Sequence, residues 1–490
     1  MNHWRSRLLT LHRWLGVTLG LYLLVICLSG SLAVFGHELD ALLGPAYPAT
    51  TGAVQWDAVD ASLAERFRYG VVNGLWLEPD TGQLWLSGET AHGQLVRVWL
   101  DPQTGAVLDE RNYVDIKYFL RQFHKTLLMP KGLYLVTPSA LVLLYGVVSG
   151  LLVVPFRWRD LFRLRLRRGR LVAYADVHRT IGLWAVALGL IIAVTGVWYL
   201  AEVSARDLGA TVEPERPQLV TPYEGPRAPL TAIVASARAA LPDLRIERVL
   251  LGDRPTDPVW VTGHRSAWLV RARANRVYLH PRDASVIDVW HEEDQTVLHR
   301  WSDMADPLHF GTFGGLASKA LWFAFGLVLC VAVFAGPWLA RARARGRRRR
   351  SRWYGWALAV SALTALVLVG CAVLSVLGQR LTIIAGRPVP DAVAEVDGGV
   401  IVRRDDGPTS TYRLLAQRAP ASALTLAIGP EAWPLSPGKP VAAPRADVIT
   451  IRSHAGEWTA ALAAPDPARA TQRALTIPPR PIPAYVQWFV

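Results

Sequence analysis

The stretch that decides the fold is residues 12–36, HRWLGVTLGLYLLVICLSGSLAVFG, in which the 23 residues from Trp14 to Gly36 carry no charge. A helix needs about 20 apolar residues to cross the hydrocarbon core of a bilayer. The run is longer than the apolar part of a signal peptide, roughly 7–15 residues, and it lacks a small-x-small cleavage site. The stretch therefore predicts an uncleaved transmembrane helix.

Four further apolar stretches have the same character. Together they predict five spans, at residues 14–36, 132–156, 178–201, 320–340 and 353–379. The composition agrees, because 51% of the residues are hydrophobic and only 19% are charged, which excludes a wholly soluble or disordered protein. Cys27, Cys330 and Cys371 all fall inside the spans, so neither a disulfide framework nor a cysteine metal site is expected.

The basic residues are concentrated in alternate connecting segments of a chain whose formal net charge is +14. Residues 1–13 hold three Arg and no acid, residues 157–177 hold seven Arg against two acids, and residues 341–352 hold eight Arg and no acid. This is the positive-inside pattern. Attraction to anionic lipid explains all three segments without a nucleic-acid site. The N-terminus is therefore predicted to be cytoplasmic, and residues 37–131, 202–319 and 380–490 are predicted to lie on the outer face.

The first two outer segments have the same predicted order of elements. An amphipathic helix is predicted at Trp56–Arg68 and again at Leu230–Leu241. Short apolar strands follow each helix; they are Gly74–Glu78, Gln83–Ser87 and Leu95–Leu100 in the first segment, and Arg245–Leu251, Val259–Thr262, Ala267–Arg273, Arg276–His280 and Ser285–Trp290 in the second. The third outer segment contains many short strands and no catalytic pattern. The predicted fold is a membrane α-helical bundle, with a four-helix core and a fifth helix, carrying two α+β modules and a β-rich C-terminal domain.

The membrane helices repeat as well. His12-Arg13-x-x-Gly16 is followed by Ser29-Gly30, and His178-Arg179-x-x-Gly182 is followed by Thr195-Gly196, with an offset of 166 residues in both parts of the pattern. His124-Lys125 precedes the second span, which contains Ser149-Gly150, and Pro307-Leu308-His309 precedes the fourth. The repeating unit is therefore helix, outer module, helix. The fifth helix falls outside this unit.

Four histidines carry the functional hypothesis. The helix directions place His12 beside His178 at the cytoplasmic boundary and His124 beside His309 at the outer boundary, at opposite ends of helices about 30 Å long. A pair of imidazoles from facing helices is the ligand set of a b-type haem, and no C-x-x-C-H for covalent attachment occurs. The adjacent basic residues are candidates to meet haem propionates; they are Arg13, Lys125 and Arg179.

Other interpretations of these histidines stay open. Each alone is typical of an amphipathic residue at the headgroup level, without a ligand. A zinc or copper site is a weaker alternative, because neither face has an evident third ligand. His37, at the outer end of the first span, is the strongest alternative outer ligand; His299 is a further one, and His3 is a weaker one on the inside.

Taken together, these motifs resemble the PepSY-associated transmembrane family of bacterial inner-membrane proteins. The resemblance covers roughly residues 1–340, and the Trp99–Leu108 stretch resembles the terminal hairpin of a PepSY domain. Members include iron-regulated proteins and ferric-siderophore reductases with two b haems in a four-helix core. The resemblance implies haem ligands at the helix ends, here His12, His178, His124 and His309, and a bacterial inner-membrane location with an outer face in the periplasm.

The predicted function is electron transfer across the membrane to an outer acceptor, for which a ferric siderophore is the leading candidate. No G-x-G-x-x-G follows a predicted strand, so a built-in NAD or flavin domain is not expected, and the electron donor is another protein, a quinol or a diffusible reductant. The alternative is a membrane-anchored regulatory module that binds periplasmic peptidases and holds no haem. A transporter is disfavoured because the interiors of the spans carry no charged residue.

Overall fold

The computed structural model describes most of the chain in segments. These are residues 3–43, 53–66, 71–78, 82–89, 95–112, 116–129, 131–153, 158–210, 212–213, 215–223, 227–252, 256–344, 348–384, 392–396, 399–406, 409–416, 424–436, 440–453 and 456–463. Parts of the sequence predictions lie outside them. These are residues 67–68 of the first outer helix, residues 154–156 of the second span, residues 1–2, 157 and 345–347 of the basic segments, and the stretches of the three outer segments that are not among the described residues, including 464–490.

The helices follow the predicted order. They are α1 (His3–Thr18), α2 (Gly20–Val34), α3 (Gly36–Leu43), α4 (Trp56–Arg66), α5 (Ile116–Thr126), α6 (Leu133–Val136), α7 (Ser139–Val153), α8 (Arg170–Trp184), α9 (Val186–Asp207), α10 (Leu230–Ala240), α11 (Val297–Phe310), α12 (Gly315–Ala344) and α13 (Arg348–Ile384). Within the described residues, four helical segments are long and apolar enough to cross a membrane: Leu133–Val153, Val186–Asp207, Gly315–Arg343 and Arg352–Gly370. The bent pair α1–α2 makes a fifth if it is one span.

The first predicted span is not one straight helix. It bends by 68° between α1 and α2. A Cβ atom built on Gly20, the first residue of α2, would lie 3.1 Å from Cγ of Pro337 in α12, so the glycine allows a closer approach of the two helices than a larger residue would. The third predicted span, 178–201, is also displaced, because the helix breaks at Ala185 and the apolar segment runs from Val186 to Asp207.

The two outer modules share one sheet of eight strands. These are β1 (Val71–Leu77), β2 (Leu84–Glu89), β3 (Leu95–Leu100), β4 (Val107–Asn112), β5 (Arg245–Leu250), β6 (Val259–His264), β7 (Asn275–Leu279) and β8 (Val286–Trp290). Their order is β4-β3-β2-β1-β5-β6-β7-β8, so the halves join where β1 pairs antiparallel with β5. One core contains buried residues of α4, α10 and strands from both halves. Joining the two modules in one sheet was not predicted.

Two strand predictions differ from the structure. Val107–Asn112 forms β4, which the sequence did not predict, whereas the predicted strand Ala267–Arg273 is irregular and ends in a short 3-10 turn. Leu269 accounts for the second difference, because its φ of 59° is left-handed and cannot continue an extended strand.

The C-terminal region is β-rich, as predicted. Its strands are β9 (Ala392–Val396), β10 (Gly399–Asp406), β11 (Thr409–Ala416), β12 (Leu424–Ile428), β13 (Glu431–Leu435), β14 (Pro440–Pro444), β15 (Val448–Ser453) and β16 (Gly456–Ala461). They form two four-stranded sheets. Buried residues of both sheets, including Ile401, Tyr412, Leu426 and Ile451, share one core, which is the arrangement of a β-sandwich.

The bundle has two distinct ends. The helices α5 and α11, each of which follows a strand of the eight-stranded sheet, lie at what we name the sheet end. The last turn of α12 carries Arg341 and Arg343 at the other end, which we name the Arg-rich end. Gly311, in the left-handed conformation at φ 67°, ends α11 and turns the chain toward α12.

Candidate cofactor-binding site

Two pairs of histidines lie among the bundle helices. His12 of α1 faces His178 of α8, with ring centroids 6.1 Å apart. His124 of α5 faces His309 of α11, with ring centroids 6.2 Å apart. The structure thus brings these histidines together in the two pairs that the sequence places together, one residue from each half of the repeat.

The separation within each pair leaves room for one metal ion between the rings. A metal–nitrogen bond in proteins is roughly 2.0–2.1 Å long, and the centre of an imidazole ring lies roughly 1.1 Å from its Nε2 atom. Two imidazoles that bind one ion from opposite sides therefore have ring centroids about 6.3 Å apart. The observed separations of 6.1 and 6.2 Å are close to this value.

Hydrogen bonds fix the tautomer of one histidine in each pair directly. Nδ1 of His124 lies 3.0 Å from the carbonyl oxygen of Ile26, and Nδ1 of His178 lies 2.9 Å from that of Ala332. A carbonyl oxygen only accepts hydrogen bonds. Both Nδ1 atoms must therefore carry the proton, which leaves the Nε2 lone pair of each ring available to a metal.

The other two histidines are fixed through a hydroxyl group. Nδ1 of His12 lies 2.8 Å from Oγ of Ser149, and Nδ1 of His309 lies 2.8 Å from Oγ1 of Thr195. Each hydroxyl already donates to a backbone carbonyl one turn earlier in its own helix, at 2.5 Å for Ser149 and 2.7 Å for Thr195. The hydroxyl oxygen therefore accepts from Nδ1–H, and all four rings reach the same tautomer.

The two pairs lie at different levels of the bundle. On α7, Ser149 marks the level of His12, which it hydrogen-bonds. Thr195 hydrogen-bonds His309, and the adjacent Gly196 packs against Ala140. Ala140 therefore marks the level of His309 on α7. Ser149 and Ala140 are about two and a half helical turns, or roughly 14 Å, apart. The predicted separation by a whole span is wrong, because the histidine-bearing helices bring their rings inside the bundle instead of leaving them at its ends.

A cavity of about 290 Å³ lies beside the sheet-end pair, His124 and His309. Its interior walls are apolar and include Leu23, Ile26, Leu143, Leu188, Ile192 and Leu329. Cationic side chains from the sheet end also line it: Lys117, Arg121, Lys125, Arg206 and Lys319. Mostly apolar walls with a few polar groups are typical of cofactor sites, whose volumes begin at roughly 300 Å³.

The cationic part of the cavity is suited to an anionic group. Burial lowers the pKa of Lys117 to about 7, despite the nearby Glu78 carboxylate, and Arg97 and Arg121 add to the effect. A negative group placed there would be attracted by these charges. Lys125, one of the predicted propionate partners, lines the same cavity.

The predicted partners at the Arg-rich end are arranged differently. Nη2 of Arg179 lies 3.2 Å from the Asp176 carboxylate and donates to the carbonyl oxygen of Arg163. Asp176 is 1% exposed, and hydrogen bonds from Arg165 lower its pKa to about 2. Arg179 therefore holds the loop before α8. Arg13, next to His12, is half-buried on α1.

The alternative ligands lie in other surroundings. His37 lines the cavity, but its Nδ1 lies 3.2 Å from Nζ of Lys117 and 4.0 Å from the Glu78 carboxylate. His3 begins α1 and is exposed. His299 is buried in the second outer module, with Nε2 3.9 Å from the Asp303 carboxylate.

His299 belongs to a cluster with the spacing of a metal site. The possible ligand atoms of Glu213, His299 and Asp303 all lie within 4.8 Å of one another. Guanidinium groups already surround Glu213, at 2.8 Å for Arg273 and Arg276 and 3.8 Å for Arg271. These charges neutralise the carboxylates and repel a cation, so we interpret the cluster as an ion-pair network.

The sequence contains a signal for the residues that orient the histidines. Ser29-Gly30, Ser149-Gly150 and Thr195-Gly196 mark the repeat, and the pattern alone does not predict their contact with the histidines. In the structure each hydroxyl contacts a histidine ring nitrogen, at 3.2 Å for Ser29 and His124. The glycine after Ser29 leaves space for the ring, because a Cβ on Gly30 would lie 2.7 Å from Cε1 of His124.

Comparison with known proteins identifies the family. Residues 9–343 match the PepSY-associated TM region, and the chain belongs to this family. It is also 26% identical over 251 residues to an uncharacterised protein of Pseudomonas aeruginosa. That alignment covers 45% of this chain and 63% of the relative, so the chain spans less than two thirds of the relative's length.

The contact between α2 and His124 gives a prediction about stability. Alanine is favoured over glycine in a helix by roughly 1 kcal/mol, so Gly355→Ala in α13, where a Cβ would meet no atom within 4 Å, should leave the melting temperature unchanged or raise it. Gly30→Ala should lower it, because the new methyl group displaces His124 and breaks its hydrogen bonds. Thermal unfolding of the two variants in the same detergent measures this difference. Equal stabilisation by both changes would show that His124 does not pack on α2.

Proposed function

We propose that this protein is a bacterial inner-membrane electron-transfer protein that binds one b-type haem at each histidine pair and reduces an acceptor on the periplasmic side. The observation that supports this most strongly is the shared tautomer. Each Nδ1 lies within hydrogen-bond distance of a protein oxygen, which leaves Nε2 as the nitrogen of each ring that is available to a metal.

The donor set favours haem over a bare metal ion. Each pair offers two nitrogen ligands, whereas structural zinc takes four protein ligands and catalytic zinc usually three. Haem provides four nitrogens of its own, and the two imidazoles of each pair would hold its iron. At the sheet end, the apolar walls would hold the macrocycle, and Lys125 and Arg121 would face its propionates. Bound haem would supply one-electron exchange between ferric and ferrous iron.

The charge distribution supports the orientation of the proposed transfer. The excess of arginine lies in segments at the Arg-rich end, which we assign to the cytoplasm. The sheet end then faces the periplasm, and electrons from a cytoplasmic or quinol donor would pass from the His12–His178 level to the His124–His309 level. The short distance between the levels, roughly 14 Å by helical rise, favours this direct passage.

For the acceptor we propose a ferric siderophore. Reduction by one electron turns Fe(III) into Fe(II), which is less charged and which the hard oxygen ligands of a siderophore hold less tightly. The resemblance to siderophore reductases suggests this substrate, and the cationic sheet end is suited to an anionic chelate. On this hypothesis the protein is an oxidoreductase that releases iron in the periplasm.

Replacing either histidine of a pair should remove the haem of that pair and leave the other haem in place. His12→Ala and His178→Ala should each abolish the same haem, leaving about half of the Soret absorbance, and His124→Ala and His309→Ala should each abolish the other. His37→Ala is the control and should retain both. Absorption spectra of the purified variants, oxidised and then reduced with dithionite, measure this. Wild-type protein without haem would exclude the proposal and favour the regulatory-module alternative.

The proposed orientation makes a separate prediction. A reporter enzyme that is active only outside the cytoplasm should function when fused after Arg380 and fail when fused after Arg345, because α13 crosses the membrane between these positions. Activity assays on cells expressing each fusion at equal levels test it. The reverse pattern would place the sheet end in the cytoplasm.

Acceptor reduction should require the sheet-end pair. Pre-reduced wild-type protein mixed anaerobically with a ferric siderophore should be reoxidised, and a ferrous chelator should trap Fe(II). His124→Ala, which retains the other pair, should be reoxidised much more slowly, since its remaining pair lies about two and a half helical turns farther from the sheet. If haem-loaded wild-type protein is reoxidised no faster by ferric chelates than by buffer, the siderophore is not the acceptor.

A further inference from the structure

The sheet-end residue His309 contacts a tyrosine that is hydrogen-bonded to a half-buried carboxylate. The rings of Tyr199 and His309 meet edge to face, with centroids 5.1 Å apart and an angle of 68°. The Tyr199 hydroxyl donates to Oδ1 of Asp306 at 2.7 Å. Asp306 lies about one helical turn before His309 on α11, so the carboxylate and the ligand belong to the same helix face.

The carboxylate also binds an arginine from the outer module. Nη2 of Arg271 donates to Oδ1 of Asp306 at 2.7 Å, and its Nε lies 2.6 Å from Oδ2. Arg271 is 7% exposed and lies between β6 and β7. Burial alone would disfavour its charge, but Asp306 and further carboxylates hold the pKa of Arg271 above its ordinary value. The ion pair therefore persists and links the module to His309.

The repeat places an opposite charge beside the other ligand. Asp306 comes three residues before His309, and Arg121 comes three residues before His124. Arg121 lines the cavity, with its guanidinium carbon 5.4 Å from the ring centre of Phe310. The ligands are equivalent in the two halves, whereas the neighbouring charges have opposite signs. The sheet-end pair is thus flanked by an acid on one side and a base on the other.

We propose that Arg271, Asp306 and Tyr199 are positioning residues that fix His309 to the outer module and set the reduction potential of the group held at the sheet end. This inference rests on the haem binding proposed above. A negative charge near a redox centre favours its oxidised form, and a positive charge favours the reduced form, most strongly where water is excluded. The Asp306 carboxylate supplies a negative charge near the site, and Arg271 and Tyr199 determine how strongly that charge acts on it.

Each substitution has a predicted sign. Asp306→Asn removes a negative charge and should raise the midpoint potential. Arg271→Gln removes the guanidinium that pairs with the carboxylate and should lower the midpoint potential, and Tyr199→Phe, which removes one donor to Asp306, should lower it less. At a fixed applied potential, Asp306→Asn and Arg271→Gln should each change the ratio of reduced to oxidised haem by about tenfold. This is the effect expected of a unit charge on the order of 10 Å away at an effective dielectric constant of about 20.

The experiment isolates the sheet-end site. Each substitution is made in the full-length His12→Ala protein, which should retain only the sheet-end haem, and the potential is measured by anaerobic spectroelectrochemical titration. The same substitutions in a His124→Ala background, with only the other haem, should leave the potential unchanged. Tyr145→Phe is the matched control for loss of a phenol, because Tyr145 donates to the carbonyl oxygen of Leu8 near the other pair; it should leave the sheet-end potential unchanged.

Opposite shifts for Asp306→Asn and Arg271→Gln would support the proposal. A purely structural role predicts shifts of the same sign, because both changes break the same ion pair, and that result would overturn it. If Arg271→Gln does not fold, Asp306→Asn and the isosteric Tyr199→Phe decide, since they too are expected to shift in opposite directions. Unchanged potentials in haem-loaded variants would overturn this inference alone, whereas wild-type protein without haem would overturn the proposed function as well.

Discussion

The hydrogen bond from Nδ1–H of each paired histidine is the constraint on which the rest of the bundle depends. Lipid offers no water to an unpaired polar group, so every imidazole inside the bundle needs a protein partner. The partners are backbone carbonyls, as at Ile26 and Ala332, or hydroxyls that lie close to their own helix, as at Ser149 and Thr195. Because these acceptors lie close to a helix backbone, each ring must approach a neighbouring helix closely, and glycines such as Gly30 and Gly336 leave space for it.

The repeat distributes each site over both halves of the chain. His12 and His124 come from the first half, and their partners come from the second, so neither half contains a complete pair. The eight-stranded sheet has the same property, because β1 of one half pairs with β5 of the other. Assembly of the sheet at the end of the bundle therefore brings α5 and α11 together, and with them the sheet-end pair. Folding of the module and formation of the site are coupled by this geometry.

Most of the candidate spans could be predicted from the sequence, because lipid imposes a minimum apolar length and the sequence displays it directly. The histidine partners could be proposed for the same reason, since helix direction determines which ligands share an end. The depth of the histidine pairs within the bundle could not be predicted from the sequence. At the bend, Gly20 packs against Pro337, which is more than 300 residues away in the sequence. The predicted strand at Ala267–Arg273 is interrupted at Leu269, whose φ is left-handed, and the shared sheet depends on strand pairing between modules that the local pattern does not encode.

The depth of the pairs explains why a soluble module is attached to this bundle. The pairs are roughly 14 Å apart along helices that cross about 30 Å of hydrocarbon, so protein must cover the remaining distance at each end. At the sheet end, α5 and α11 cover it, and Phe313 and Trp322 pack beneath the outer module with ring centroids 4.9 Å apart. On the proposed function, packed side chains instead of lipid would separate His309 from an acceptor at the surface of the module. The Arg271–Asp306 ion pair lies in this same layer, so the residues that would lie between the acceptor and His309 include the ion pair that we propose to set the reduction potential.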